Sequence, residues 1–437
     1  MGRLAPLAAV GALWFAWLAK GSASLVSGHP SDETGKVVLH AGPKPFVADA
    51  KSARDVSLDY LRATLTLMVV AHHSSLAYTH FARIDPKNYL ASTAPVVDGA
   101  RWLFLDYAEN FNDVFFMSLM FFISGLFVLP SLRRSGAAAF LGQRLLRLGL
   151  PFAVGVTALM PAAYYAAWLA AGHPRGYLEF WRQHITHGWP PGPLWFVWVL
   201  LLFDGVAAAL FAAFPRRTFD CPSVSRWFKE RPLPAFGAMV CVCALLYLPM
   251  LSIFGFGFWA PLLTKPFYFQ VCRIALYLAW FFAGAWVGAD DLERGLLSRN
   301  GRLARDWRWW LAGCFVAYNL LIFVPRNQSL TSLLSAHGMG ALEAILWVIS
   351  CVASGFGFLA LFRGVVRTRR AWMDSLARSA YAIYIVHYVF VLWAQFALLG
   401  QPLPAGAKFV ATFAFALLFS WMTAQALLRI PGVRRIL

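Results

Sequence analysis

The segment Asp59–Tyr78 reads DYLRATLTLMVVAHHSSLAY and is apolar enough over its middle to enter a membrane. Four ionisable side chains interrupt it, namely Asp59, Arg62, His72 and His73. An Arg or Asp at the centre of a membrane helix costs roughly 2.5–3.5 kcal/mol, so residues of this kind are usually functional. The alternative is that they are polar packing groups between helices. The segment therefore predicts a membrane helix with a candidate site inside it.

The helical phase separates these four side chains. At about 100° per residue, His73 points within roughly 20° of Arg62, whereas His72 points about 80° away. Arg62 and His73 are about 16 Å apart along the axis, at about 1.5 Å per residue. Asp59 precedes Arg62 by three residues and can pair with it. The pattern predicts a cation near one membrane face and an imidazole deep in the bilayer, both facing one interior path.

The composition indicates a multi-pass membrane protein. Of the 437 residues, 60% are hydrophobic and only 13% are charged, which is not typical of a soluble globule. We therefore predict an all-α bundle of about ten spans, each of adequate length. The predicted spans are 56–78, 111–130, 149–171, 193–213, 234–257, 269–289, 309–324, 338–362, 379–399 and 408–428.

The net charge of +18 comes from the connections between these spans. One alternating set of connections, with the C-terminal tail, holds 22 Lys and Arg residues, and the other set holds 8. The positive-inside rule places the richer set, and both termini, in the cytoplasm. The same asymmetry explains the high isoelectric point without a nucleic-acid partner.

The N-terminal residues 1–55 are predicted to be a non-catalytic tail. They contain a short apolar stretch, Leu4–Ala19, followed by polar residues. This arrangement resembles a secretory signal, with a membrane-surface anchor or an upstream translation start as alternatives. The catalytic part is then the membrane domain 56–428, and residues 429–437 form a short cytoplasmic tail.

Further polar residues mark the second, third and fourth spans. Glu109 and Asp113 are expected at the outer end of the second span, with Ser124 deeper. Arg144 and Arg147 lie three apart, and two guanidinium groups on one helical face suit a phosphate; the alternative is that they only set the topology. Trp195 at the start of the fourth span is typical of an aromatic belt.

The remaining intramembrane polar residues allow more than one pairing. Asp204 and Arg273 can pair with each other or with other groups. In the ninth span, Tyr381, Tyr384 and His387 recur every third residue and form a polar stripe. The cysteines show neither metal-ligand spacing nor a disulfide framework, so no metal site is predicted.

Taken together, these motifs resemble the membrane acyltransferase-3 family. They are Arg62 with His73, FFISG at 121–125, Arg144-x-x-Arg147, PLWF at 193–196 and SAYAIYIVH at 379–387. The resemblance runs in order from about residue 55 to 428. The pattern His73-x-Ser75-Leu76-x-Tyr78 resembles the branch that contains glucans biosynthesis protein C, which is credited with succinylating periplasmic glucans.

The resemblance implies transfer of an acyl group, acetyl or succinyl, from cytoplasmic acyl-CoA to a hydroxyl of a periplasmic or cell-surface glycan. It implies a bacterial inner-membrane enzyme whose partners are acyl-CoA, the glycan acceptor and membrane lipid, with no permanently bound cofactor. The 437 residues contain no SGNH-type hydrolase domain, so transfer is expected within the membrane body. A small-molecule transporter or flippase is the alternative, since interior charges also suit one.

A mechanism follows from the residues and the resemblance as a hypothesis. Arg144 and Arg147, with Arg62, are expected to hold the CoA phosphates. His73 is expected to act as general base, and Asp59 to support Arg62. The doubled histidine leaves the acting imidazole open, and a covalent acyl-histidine is a competing route. The expected lining of the site is His72, Glu109, Asp113, Ser124, Trp195, Tyr381, Tyr384 and His387.

Overall fold

The computed structural model describes residues 55–85, 92–173, 176–214, 222–327, 332 and 334–437. The predicted N-terminal tail lies outside these residues, except for Asp55. So do four of the loop cations counted above, Lys87, Arg175, Arg216 and Arg217. The described chain is predominantly helical with one short hairpin, which confirms the predicted all-α membrane bundle.

The elements follow one another in a simple order. The helices are α1 Val56–Leu76, α2 Leu103–Gly125, α3 Val128–Ser135, α4 Ala137–Ala170, α5 Tyr177–Gln183, α6 Trp195–Ala213, α7 Pro222–Glu230, α8 Pro232–Phe254, α9 Val271–Val287, α10 Arg302–Arg305, α11 Trp307–Phe323, α12 Ala336–Val365, α13 Ala371–Leu398, α14 Ala405–Leu427 and α15 Pro431–Arg434. The strands β1 Trp259–Pro261 and β2 Tyr268–Gln270 form an antiparallel hairpin in which Ala260 pairs with Phe269. Helix α4 is continuous but contains two π-helical turns, Leu145–Gly149 and Gly155–Leu159.

Each of the ten predicted spans coincides with a helix. Eight helical segments of the described residues are long and apolar enough to cross a membrane. The other two predicted spans are α9, which is apolar but only 17 residues long, and α1, which carries the charged residues of the opening segment. The chain is a multi-pass membrane protein.

Two predicted boundaries were wrong in a way that affects the site. Helix α2 begins at Leu103 rather than at residue 111, so Glu109 and Asp113 lie within the helix and not at its outer end. The third span begins at Ala137 rather than at residue 149, so Arg144 and Arg147 are on the helix itself. Both errors arose because charged residues were read as the ends of spans, whereas the helices continue through them, with Glu109 buried and Arg144 paired with Asp204.

An ion cluster closes the arginine-rich end of the bundle. The guanidinium of Arg363 is fully buried between Asp55 and Glu293, with Glu293 at 2.6 Å, and Arg299 lies 3.1 Å from Asp55. Burial alone raises the pKa of Asp55, but the Ser57 hydroxyl and the two guanidinium groups lower that pKa well below its usual range. The Asp55 carboxylate also caps α1 by accepting from two backbone N–H groups. The start of α1 is thereby held against the end of α12.

A second buried ion pair holds the opposite end. Lys408 at the start of α14 lies 2.6 Å from Asp98, and both side chains are almost fully buried. Beside them, the Tyr78 and Thr412 hydroxyls are 3.1 Å apart. These contacts fix the loop after α1 against α14.

Glycines bring α2 and α9 into backbone contact. A Cβ at Gly284 would lie 2.0 Å from the Phe122 carbonyl oxygen, and one at Gly125 would lie 2.1 Å from the Phe281 carbonyl oxygen. Small residues allow membrane helices to approach closely. This contact between Gly125, Gly284 and the facing backbones sets the position of the polar face of α2.

Candidate active site

The centre of the bundle contains a pair of hydrogen-bonded histidines. His73 Nδ1 lies 2.9 Å from the Val69 carbonyl oxygen and 3.2 Å from His387 Nε2. His387 Nδ1 lies 2.7 Å from the Tyr384 carbonyl oxygen. The two histidines are 314 residues apart in sequence and meet because α13 packs against α1.

This network assigns the protons of both neutral rings. A carbonyl oxygen only accepts, so His387 Nδ1 carries a hydrogen and its Nε2 has a lone pair. That lone pair accepts from His73 Nδ1–H, which leaves the Nε2 of His73 as an unprotonated nitrogen. Among the described residues the hydrogen bonds of the His73 ring are made by Nδ1 and none by Nε2, and the residue is half-buried. The geometry therefore presents one basic nitrogen to a reacting group.

The polar stripe of α13, formed by Tyr381, Tyr384 and His387, contacts three other sequence motifs. The Tyr381 hydroxyl donates to the Arg147 carbonyl oxygen at 2.8 Å. The Tyr384 hydroxyl donates to the Pro193 carbonyl oxygen, at the start of PLWF, and His387 contacts His73. Tyr381 and His387 are separated by about 9 Å along the helix axis, at about 1.5 Å per residue. The sequence predicted the stripe but not these partners.

The arginine pair lies at the arginine-rich end, with different environments for its two members. Arg144 Nε is 3.3 Å from the buried carboxylate of Asp204, and the guanidinium lies over the Phe140 ring at 5.0 Å. Its side chain is 23% exposed. Arg147 is exposed and makes no ion pair within the described chain. Asp204 thus pairs with Arg144 and not with Arg273, which decides between the alternatives left open by the sequence.

The pairing of Arg62 with Asp59 is as predicted, at 3.0 Å on the first turns of α1. Asp59 also lines a small cavity of about 90 Å³ with Arg369, Asp374 and Arg378. The Arg62 side chain is partly exposed, and it lies about three turns of α1 away from His73. The structure does not bring Arg62 into contact with the histidine pair.

His72 faces a different group of polar residues. Its Nδ1 lies 3.6 Å from a Glu109 carboxylate oxygen, and it is buried without a hydrogen-bond partner in the described structure. One turn further along α2, Asp113 binds Arg273 through two contacts of 2.6 and 2.9 Å. Arg273 also lies over the Trp347 ring at 4.8 Å. As the helical phase predicted, the two adjacent histidines serve different helix interfaces.

Two predicted lining residues lie outside this group. The Ser124 hydroxyl donates to the Met120 carbonyl oxygen of its own helix. Trp195 stacks on Tyr277, with ring centroids 5.6 Å apart, and its neighbour Trp198 is buried and donates to the Tyr268 carbonyl oxygen at 2.8 Å. The aromatic-belt interpretation was wrong, because these rings pack within the protein.

Sequence reasoning missed two residues next to His73. The Tyr388 ring contacts the His73 ring edge-on at 5.1 Å. The Gln395 side chain donates to the His73 carbonyl oxygen at 2.9 Å. A single amide within the apolar run VFVLWAQFAL was the available signal for Gln395. Among the described residues, no group of three or more His, Cys, Asp or Glu is placed to hold a metal ion.

Comparison with known families identifies the domain. The sequence model of one family, described as an acyltransferase domain, matches residues 55–425. The chain belongs to the acyltransferase-3 family. No curated protein and no solved structure matches it. Membership in acyltransferase-3 favours acyl transfer over the transporter alternative, and the matched range contains every candidate residue described above.

Proposed function

We propose that this acyltransferase-3 protein transfers an acetyl or succinyl group from cytoplasmic acyl-CoA to a hydroxyl of a periplasmic or cell-surface glycan. The observation that carries the proposal is the stripe of α13. Two residues of this helix, about 9 Å apart along its axis, bind the Arg147 backbone through Tyr381 and the His73 ring through His387. Helix α13 would therefore hold an acyl-CoA bound at the arginines and an acceptor bound at His73 in fixed positions relative to each other.

His73 is the general base in this proposal. Its Nε2 takes the proton of the acceptor hydroxyl while the oxygen attacks the thioester carbon. The carbon–sulfur bond breaks, and the leaving thiolate takes the proton from His73 Nε2. The products are the acylated hydroxyl and free CoA, and His73 returns to its starting tautomer. The unshared lone pair on Nε2, held by the Val69 and Tyr384 carbonyls and His387, supports a reacting role for His73; a covalent acyl-histidine would use the same lone pair and is the competing route.

Arg144 and Arg147 bind the phosphates of CoA. Asp204 occupies the Nε side of Arg144, so the two terminal nitrogens of that guanidinium remain for an anion. Arg147 is exposed beside it. Arg62, paired with Asp59, contributes positive charge at the same end of the bundle. The glucan-succinylating branch is supported by the pattern from His73 to Tyr78, and membrane lipid surrounds the whole domain.

The test is acyl-CoA-dependent thiol release by the purified full chain, with acetyl-CoA and succinyl-CoA as donors and a base-treated glycan fraction as acceptor. The double variant Arg144→Gln/Arg147→Gln is expected to weaken acyl-CoA binding at least about tenfold, from the loss of charged hydrogen bonds. Arg134→Gln, an exposed arginine on α3, is the matched control. Unchanged CoA affinity in the double variant would leave these arginines with a purely topological role.

The proposed orientation places both termini in the cytoplasm of a bacterial inner membrane. It rests on the arginine count of the alternating connections, two of whose members, Arg299 and Arg363, contact Asp55 at the start of α1. A reporter fused after Leu437 is expected to read as cytoplasmic. A periplasmic reading would refute this orientation.

A further inference from the structure

An apolar groove of about 460 Å³ lies between α8 and α9. Five alanines line it, namely Ala235 and Ala238 of α8 and Ala275, Ala279 and Ala283 of α9. Their spacing places each set on one face of its helix, so the two helices meet with small side chains and leave space between them. Protein interiors rarely contain a void much larger than a water molecule. The groove is therefore a space that another molecule fills.

The groove opens on the lipid-facing side of the bundle. On α8, which is long and apolar enough to cross a membrane, the lining residue Val242 is 43% exposed and Ala238 is also exposed. No charged side chain lines the groove within the described part of the chain. Its surroundings are thus the hydrocarbon of the bilayer rather than water.

The dimensions of the groove limit what fits it. It runs along α8 from Ala235 to Leu246, about 16 Å at about 1.5 Å per residue, which is close to half of the roughly 30 Å hydrocarbon core. Its volume over that length corresponds to a mean width of about 6 Å. A helix of a second copy is about 10–12 Å across and too wide. A single chain of methylenes, about 4 Å wide from the contact distance of carbon atoms, fits.

One end of the groove reaches the membrane surface at the arginine-rich end of the bundle. The Phe228 and Trp286 rings line this end and contact each other at 5.6 Å. Arg231 precedes the lining residue Ala235 by four residues, about one helical turn. Its guanidinium lies over the exposed Trp227 ring at 5.8 Å. A cation therefore lies at the level where a lipid that fills the groove would carry its headgroup.

The neighbouring charges leave Arg231 available to an anion. Lys229 donates to the Glu293 carbonyl oxygen at 3.3 Å, and Glu230 pairs with Arg305 at 3.0 Å. Arg231 is exposed and makes no ion pair among the described residues. The nearest carboxylate in sequence is thus already paired with another arginine.

We propose that the groove binds one acyl chain of a phospholipid from the leaflet at the arginine-rich end, and that Arg231 binds its phosphate. A guanidinium forms paired hydrogen bonds with phosphate oxygens, and basic residues at a membrane surface attract anionic headgroups. Bilayer lipid is as apolar as the groove, so the narrow shape and the phosphate contact distinguish this lipid from its neighbours. The inference stands independently of the proposed function.

The experiment titrates the purified, delipidated full chain in detergent with dioleoyl phosphatidylglycerol and measures bound lipid by native mass spectrometry. Dioleoylglycerol, which has the same chains and no phosphate, is the parallel ligand. The wild-type chain is expected to retain one phosphatidylglycerol and to bind dioleoylglycerol about fivefold more weakly or worse. Its thermal midpoint is expected to rise with phosphatidylglycerol, because a ligand that binds only the folded state stabilises it.

Two variants remove different parts of the site. Ala279→Phe places a ring where the acyl chain lies and is expected to weaken phosphatidylglycerol binding at least about tenfold; Ala414→Phe, at an exposed position of α14, is the matched control. Arg231→Gln is expected to weaken phosphatidylglycerol binding about fivefold and to leave dioleoylglycerol binding unchanged. Arg134→Gln, at an exposed position of α3, is its control.

Three outcomes would overturn the inference. Equal phosphatidylglycerol affinity in Ala279→Phe and Ala414→Phe would show that the lipid binds elsewhere. Equal wild-type affinities for the two lipids, with no effect of Arg231→Gln, would remove the phosphate contact. Loss of a dimer in the spectrum of Ala279→Phe, with bound lipid unchanged, would show that a second copy occupies the groove. If Ala279→Phe does not fold, Arg231→Gln and the pair of lipids still decide the question.

Discussion

Replacing His387 with leucine tests the central hydrogen bond of the proposed site. His387 is fully buried, and its Nε2 is 3.2 Å from His73 Nδ1. It touches the base and not the reacting groups, so it is a positioning residue. His387→Leu fills a similar volume but offers no acceptor, which leaves the Val69 carbonyl oxygen, 2.9 Å away, as the described acceptor for His73 Nδ1–H.

The expected loss follows from the charge on His73 during transfer. When Nε2 takes the acceptor proton, the Nδ1–H bond to His387 becomes a hydrogen bond from a cation. Such bonds contribute about 1.5–3 kcal/mol, and each 1.36 kcal/mol corresponds to about tenfold in rate. The kcat of His387→Leu is therefore expected to fall about 10- to 150-fold, while the KM for acyl-CoA stays constant because the arginines are unaffected.

The assay is thiol release by purified protein at saturating acyl-CoA, with thermal denaturation as a check on folding. His387→Gln carries a carbonyl oxygen on a side chain of similar reach and is expected to recover most of the lost kcat. A purely structural role predicts no such recovery. A kcat for His387→Leu within about twofold of wild type would refute the reasoning, as would equal losses in the leucine and glutamine variants.

The remaining predictions concern the base, one helix contact and one ion pair. His73→Ala is expected to lower transfer about 10²- to 10⁴-fold with normal membrane expression, whereas His72→Ala keeps most of it in the same thiol-release assay; the reverse order contradicts the assignment. Gly284→Ala is expected to destabilise the protein by about 1–3 kcal/mol in thermal denaturation because α2 and α9 leave no room for a Cβ, while Gly313→Ala, in open space, does not. Lys408→Met is expected to lower the free energy of unfolding by about 3–5 kcal/mol, because it leaves the buried Asp98 carboxylate unpaired. Replacing Asp98 with an apolar residue as well should recover most of that loss. A Lys408→Met variant as stable as wild type would contradict the estimate.

The local features of the site could be predicted from the sequence. The different directions in which Arg62, His72 and His73 point from α1 follow from the helical repeat alone. The contact between Arg62 and Asp59 follows from the same repeat. The length and polarity of the segments determined that the chain is a membrane bundle. The motifs also indicated the family, and the family model that matches residues 55–425 confirms it.

Only the tertiary structure decided which helices are neighbours. It placed His387 on His73 and paired Asp204 with Arg144, leaving Arg273 for Asp113. A soluble helix reveals its buried side by its apolar stripe. In a membrane the lipid is as apolar as leucine, so the sequence of such a helix does not show which side meets protein. The partners of these buried polar groups are set by packing between segments hundreds of residues apart, and that information is absent from any single span.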